Sequence, residues 1–233
     1  MIKISLMDFE DGRYERKFFI SDLSTNEIEK IIKFSSYFFS ETFYKRDVNN
    51  LYLDSFDLDS YSDNLVGNNQ RMKIRIRWYG KMFEPAKNPV LEIKIKNNHL
   101  GKKMQFNLEP FRLDKNFSRE YLQKEIFAKS NLPSWLIEDL KLLKPSLLNS
   151  YKRKYFISKN KKFRITLDDD LVFISVNCKN NSFKHKIIDK QNAILEIKYD
   201  QKNDSEIANI TQHFPFRLTK SSKYIYGLNL LEE

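Results

Sequence analysis

The chain has 233 residues, 41% of them hydrophobic, with 19 Phe and 12 Tyr against only 5 Gly and 6 Pro. That is ample material for a core and too little Gly and Pro for linkers, repeats or low-complexity segments. A formal charge of +10 points to an anionic partner, while the single Cys178 excludes an internal disulfide and a cysteine-based zinc site and fits a reducing compartment. No apolar run approaches the ~20 residues of a membrane helix or a leader's apolar stretch, so one soluble, cytoplasmic domain over residues 1–233 is expected.

Residues 13 to 20 read as a first strand, with Glu15 and Lys17 on one face and Tyr14, Arg16 and Phe18 on the other. A capping box of Ser24 and Glu27 opens a helix whose apolar spacing at Ile28, Ile31 and Ile32 runs to about Phe39. Residues 49 to 56 suit a second strand, and 57 to 65 a short helix before the turn at Gly67-Asn68-Asn69.

The stretch from Arg71 to Gly80 alternates strictly. Arg71, Lys73, Arg75 and Arg77 fall on one face; Met72, Ile74, Ile76 and Trp78 fall on the other. Two unit charges about 6 Å apart at an effective dielectric of ~20 repel by roughly 3 kcal/mol, so such a row calls for an anion or for water.

Residues 90 to 97 repeat the pattern, with Glu92, Lys94 and Lys96 opposite Leu91, Ile93 and Ile95. A turn at 97 to 101 leads to a strand with Lys103, Gln105 and Asn107 opposite Met104, Phe106 and Leu108. Ser118 caps a helix to about Lys129, and Pro133 opens another to about Leu143.

In the second half, residues 151 to 157 place Arg153 with Tyr151 and Tyr155, and residues 163 to 168 place Arg164, Thr166 and Asp168 together. A hairpin member near 171 to 175 follows, and residues 194 to 199 align Glu196 with Lys198. Ser205 caps a helix towards His213, and Lys220 and Lys223 are neighbours if 220 to 224 is helical.

Glu15/Lys17, Glu92/Lys94 and Glu196/Lys198 form three Glu-x-Lys pairs, each on the charged face of a largely apolar strand. A single such strand reads as a solvated amphipathic strand. Together they fit an α+β fold, an antiparallel sheet closed into a barrel with a polar lumen and helices packed outside. Arg and Lys suit phosphate oxygens and sparse carboxylates suit Mg²⁺ or Mn²⁺, the equipment of metal-assisted phosphoryl transfer. No covalent nucleophile stands out: Cys178 is isolated, and His99, His185 and His213 read as surface residues in loops or at a helix end.

Seven motifs, Tyr14 to Phe18, Lys73 to Gly80, Leu91 to Lys94, Tyr151 to Arg153, Arg164 to Asp168, Leu195 to Tyr199 and Lys220 to Tyr224, occur in the order seen in VTC domains. The chain resembles this family over nearly its whole length. These are polyphosphate polymerase domains of the vacuolar transporter chaperone type, in the triphosphate tunnel metalloenzyme (CYTH-like) superfamily. The resemblance implies an antiparallel tunnel of about eight strands, a triphosphate or polyphosphate within it, and Mn²⁺ or Mg²⁺ on strand glutamates.

Carried over by motif, the resemblance implies that Arg75, Arg77, Lys94, Arg153, Arg164, Lys220 and Lys223 grip phosphates as the catalytic set, with Glu196 holding the metal. Face parity adds Lys17, Lys73, Lys103 and Lys198 as further substrate contacts. Glu15 and Glu92 are additional metal candidates, or else salt-bridge partners that orient lysines.

The implied activity is a nucleoside-triphosphate-dependent polyphosphate polymerase if the acceptor is a phosphate chain end, and a tripolyphosphatase or nucleoside triphosphatase if it is water. The chain shows neither the phosphate-sensing SPX domain nor the membrane-spanning region of the full eukaryotic polymerases, which puts transport-coupled polymerisation outside the expectation; a protein partner is left open. The other class is a non-catalytic binder of polyphosphate or nucleic acid. Nucleic acid is not expected, because Trp78 falls on the apolar face away from Arg75 and Arg77, and pure binding leaves the glutamates unexplained.

Overall fold

The two-residue alternation of charged and apolar side chains becomes an antiparallel sheet in the computed structural model, which describes residues 13–97 and 100–232. Its strands are β1 (Arg13–Ile20), β2 (Ser40–Asp54), β3 (Gln70–Tyr79), β4 (Val90–Asn97), β5 (Leu100–Asn107), β6 (Lys144–Ile157), β7 (Phe163–Ser175), β8 (Lys186–Asp189) and β9 (Ala193–Asp200). Hydrogen-bonded neighbours run β1-β9-β7-β6-β2-β3-β4-β5, and β8 pairs with β7.

Among the described residues no ladder joins the end strands, although Cα atoms of β1 and β5 come within 8 Å. The physical reason lies on the free edge of β1. Leu218 bridges to Phe18, the Thr219 N–H donates to the Lys17 carbonyl, and the Phe19 N–H donates to Thr219 Oγ1. The expected barrel is therefore an α+β sheet of nine strands whose hydrogen bonds stop at this seam.

The outer face carries two apolar clusters. Ile74, Ile76, Trp78, Leu91 and Ile93 pack under α3 (Arg119–Tyr121), its π-helical continuation Leu122–Phe127, and α4 (Ser134–Leu140). Phe18, Ile165, Leu195 and Ile197 pack under α1 (Thr25–Lys33) and α5 (Asp204–Thr211) through Ile28, Ile32, Ile207 and Ile210. The Ser24–Glu27 capping box is formed, but α1 stops at Phe34 and the chain turns through Phe38 at φ 49° before β2.

A third cluster lies on the inner face. Tyr52, Leu147, Tyr151, Leu171, Phe173 and Ile194 receive Tyr224 and Leu228 of α6 (Lys223–Glu232). Tyr224 stacks on Tyr52 at 4.9 Å and donates to Asp54 at 2.6 Å. Gly227 makes the seating possible: a Cβ there would lie 2.9 Å from Leu147 Cδ2 and closer still to the Phe173 ring. A short α2 (Asp59–Val66) completes the helices.

Several boundaries differ from expectation. The stretches 163 to 168 and 171 to 175 are one strand, kinked where Asp170 takes φ 49° and the β6–β7 register shifts. That kink lets Asp168 and Leu171 face the same side. β6 begins at Lys144 rather than 151, and α5 begins at Asp204 with no side-chain cap. His99 and the tip of its turn lie outside the described residues.

Candidate anion-binding site

Residues directly opposite in an antiparallel pair share a face, and the registers bring the predicted strand residues onto one. Glu15 faces Lys198 and Lys17 faces Glu196 between β1 and β9; Arg164 faces Lys198 and Thr166 faces Glu196 between β7 and β9. Arg75 faces Glu92 and Lys73 faces Lys94 between β3 and β4, and Lys94 faces Lys103 on β5. The sheet curls far enough that Lys94 of β4 donates to Glu15 of β1 at 3.0 Å, across the seam.

Glu92 is surrounded. Arg75 donates to its Oε2 through Nε at 2.9 Å and Nη2 at 2.7 Å, while Gln105 at 2.9 Å and Lys103 at 3.2 Å take Oε1. Arg77 Nη1 stands 3.6 Å from Oε2. Burial works to raise the Glu92 pKa, but Arg75, Arg77 and Lys103 outweigh it and hold the carboxyl down at about 2. Arg77 also donates to Asn50 at 2.8 Å and to the Tyr151 hydroxyl at 3.1 Å.

Glu196 shares its cations. Lys17 Nζ lies 2.8 Å from Glu196 and 3.5 Å from Glu15, and Lys198 Nζ lies 3.3 Å and 3.6 Å from the same two carboxylates. Lys223, at the start of α6, stands 3.9 Å from Glu196 and 2.6 Å from Asp168, which Arg153 grips with two bonds at 2.5 and 2.6 Å. Burial opposes the Glu196 charge, yet Lys17, Lys198, Lys223 and Arg153 hold its pKa well below the usual carboxylate range. Glu15 is likewise net lowered: burial and Glu196 work against its charge, and Lys17, Lys94 and Lys198 prevail. The buried Thr166 Oγ1 beside Glu196 has no hydrogen-bond partner among the described residues.

The face as a whole carries surplus positive charge. Burial, then Lys17, Lys94, Arg71 and Arg75, push the Lys73 ammonium down to about 7, and it donates to Ser222 at 2.8 Å. Burial lowers Lys94 as well. Arg164 is exposed at an inner-face position. Lys220 is exposed in the segment before α6 rather than on the helix with Lys223, because that helix begins only at Lys223.

No three His, Cys, Asp or Glu side chains converge among the described residues. The donor chemistry at Glu196 nevertheless fits a hard divalent cation: two ionised carboxylates and an unpartnered hydroxyl lie together. Mg²⁺ is held by one or two carboxylates when phosphates and waters supply its other ligands. Glu92 has both oxygens engaged by its own neighbours, the orienting role weighed for it in the sequence. His185 and His213 are exposed, and Cys178 stands alone.

Sequence reasoning named Asp168 and Thr166 as sharing a face with Arg164 but gave them no part in the site. The same parity was the signal that could have done so, since Asp168, fully buried, anchors both Arg153 and Lys223. Arg46 was missed for lack of any signal. It reaches the inner face opposite Arg153 only through irregular register between Phe43 and Arg46.

The family model for the VTC domain matches residues 12–232. Vacuolar transporter chaperone complex subunit 2 of Schizosaccharomyces pombe is 30% identical over 141 residues, which are 53% of this chain and 19% of that protein. The chain thus spans about a fifth of the length of the curated relative it matches. Among solved structures, a putative adenylyl cyclase from Hippeastrum described as having a dominant triphosphatase activity aligns with a TM-score of 0.53 at 10% identity, covering 94% of this chain and 95% of its own. A putative adenylate cyclase from Vibrio parahaemolyticus gives 0.51 at 11% identity over 94% and 98%. At such identities the likeness is one of fold. Among the described residues, no helix is long and apolar enough to cross a membrane.

Proposed function

The chain belongs to the VTC domain family, and from that premise we propose that its inner face is a tunnel in which a nucleoside triphosphate extends a polyphosphate chain. The γ-phosphoryl group passes to the terminal oxygen of the chain; a new P–O bond forms, the bond to the β-phosphate oxygen breaks, and the nucleoside diphosphate leaves.

The observation that carries this reading is the crowding of cations on an enclosed face, enough to lower Lys73 to about 7 through burial and its charged neighbours. Cations packed at that cost mark a place where anionic charge is expected, and phosphate oxygens match both the forked donors of Arg and the point charge of Lys. Arg75, Arg77, Lys94, Arg153 and Lys223 would hold the reacting phosphates, with Arg164 and Lys220 at the rim. Lys17, Lys73, Lys103 and Lys198 would add contacts along the chain.

Glu196, assisted by Glu15, would hold Mn²⁺ or Mg²⁺, which supplies Lewis-acid polarisation of a phosphoryl oxygen when bound. Glu92 would serve by fixing the Arg75 fork and Lys103. Because the transition state of phosphoryl transfer spreads charge over oxygens and asks for little covalent chemistry, positioning and charge are what these residues need to supply.

Incubating the purified protein with ATP and Mn²⁺ or Mg²⁺ and separating the products tests this. Long polyphosphate chains are the expected result. Free phosphate alone, from ATP or tripolyphosphate, would reassign the chain as a triphosphatase, and no turnover beside tight polyphosphate binding would leave a binding module.

A further inference from the structure

An arginine held among three aromatic rings lies on the inner face opposite Arg153. The Arg46 guanidinium carbon stands 4.9 Å from the centroid of Phe43, 5.0 Å from Tyr79 and 4.6 Å from Tyr155. Phe43 and Tyr155 meet edge to face at 5.7 Å. Among the described residues no carboxylate pairs with Arg46, and its buried Nε has no hydrogen-bond partner.

The registers place this group. Arg46 is opposite Arg153 and Phe43 opposite Tyr155 between β2 and β6, while Tyr79 is the next position after Arg77 on the same face of β3. By the registers Arg77 is level with Asn149 of β6 and Tyr79 with Tyr151, one step short of Arg153, while Phe43 and Tyr155 lie one step, about 7 Å, past it, so the rings flank Arg153 on the side of Arg77 away from Leu147. The opposite direction along β6, towards Leu147, is filled by α6. The ring group therefore lies on the side of the site away from the helix.

We propose that this group is a nucleobase platform: it receives the base of the nucleoside triphosphate whose phosphates Arg77 and Arg153 would hold. The proposal rests on the phosphate-binding reading above and adds to it the other half of the ligand. The chemistry favours a base over another phosphate. Rings offer no charge and no forked donors, and they pack against the guanidinium, whereas flat aromatic surfaces are what a base stacks on without sequence or charge requirements. A purely structural cluster would also bury its rings, yet Phe43 is 55% and Tyr79 51% exposed.

The test is calorimetric titration of ATP and, separately, of tripolyphosphate into the wild-type protein and into Phe43→Ala, Tyr79→Ala and the double variant. Both rings are exposed enough for their loss to leave the fold intact, and Phe43→Trp checks this by restoring a stacking surface. The double variant is expected to weaken ATP about tenfold while tripolyphosphate affinity holds, with Phe43→Trp matching or exceeding wild type for ATP. Equal weakening of both ligands, or no change in either, would overturn the platform and leave the phosphate site standing. A wild-type protein that binds tripolyphosphate but not ATP would do the same. Binding of neither ligand would overturn the phosphate reading and the platform with it.

Discussion

Two walls of the inner face carry the same Glu-x-Lys device and reach different states. On β4, Glu92 meets Arg75 and Gln105 at directly opposite positions of its two neighbouring strands, with Lys103 diagonal to it, and both of its oxygens are engaged. On β9, Glu196 meets Lys17 on one side and Thr166 on the other; Lys17 and Lys198 take its two oxygens but are divided with Glu15, and the threonine hydroxyl has no partner among the described residues. The difference teaches that the neighbouring strands, not the Glu-x-Lys pattern, decide whether a carboxylate keeps its cations to itself or shares them with a second carboxylate.

The sharpest way to probe that contrast is to neutralise each carboxylate in turn. Glu196→Gln is expected to lower turnover about 10²- to 10³-fold, the scale of losing one charge-stabilising group at the reacting centre, while tripolyphosphate affinity by calorimetry is largely retained. Turnover equal to wild type would remove Glu196 as the metal ligand.

Glu92→Gln should act on stability instead. Taking one partner from a buried ion pair costs roughly 3 kcal/mol, read as a shifted urea midpoint with an unchanged slope. Its pH signature has a definite sign. The Glu92 carboxyl is held at about 2 against ~4.3 in an unfolded chain, so its stabilisation is present above that unfolded value and fades as pH falls towards 2. The variant should lose this acid-side decline, and if it keeps the wild-type profile the saturated wall is not what shapes it.

Gly227→Ala reaches the β9 wall through the helix that carries Lys223. Overpacking against Phe173 and Leu147 is expected to cost about 1–3 kcal/mol, again by denaturation, and a neutral result would mean that α6 shifts outward without penalty.

The smallest effect is a slope. Lys73 is depressed to about 7 by burial and by Lys17, Lys94, Arg71 and Arg75, so between that value and the unfolded ~10.4 the folded protein lacks a proton that the unfolded chain holds. Stability contributed by this group therefore rises with pH across that window. Phosphate binding favours the ammonium and takes a proton up, so triphosphate affinity should fall a few-fold as pH rises from 7 to 8. Calorimetry in buffers of different ionisation heat would show the uptake, and Lys73→Met should flatten it.

Face parity was legible in the sequence because charge alternation is local: Lys17, Lys73, Arg75, Lys94, Arg153 and Glu196 share the face their spacing assigned. Whatever depended on distant pairing was not. β7 read as two strands because Asp169 and Asp170 interrupt its alternation, whereas the chain absorbs them in a kink at Asp170 and continues. The seam at β1 could not be foreseen, since it is made by residues some 200 positions away, with Phe19 bonded to Thr219. α6 escaped notice because it is nearly all apolar, with a glycine inside, and so lacks the one-sided stripe of a surface helix. Its glycine is explained only once Phe173 and Leu147 are seen against it.

The seating of α6 has a consequence for how the protein comes into being. Lys17 pairs with Glu196 across 179 positions and Tyr224 with Asp54 across 170, contacts of a separation that makes folding slow. During synthesis the strands of Asp168 and Glu196 emerge before residues 223–232, so the half-made cleft holds two buried carboxylates without the helix-borne ammonium that later stands 2.6 Å from one of them. Arg153 then holds Asp168 alone, and the cleft offers a phosphate one cation fewer. Drawing α6 in adds that ammonium, which makes ligand affinity a report on whether α6 is seated.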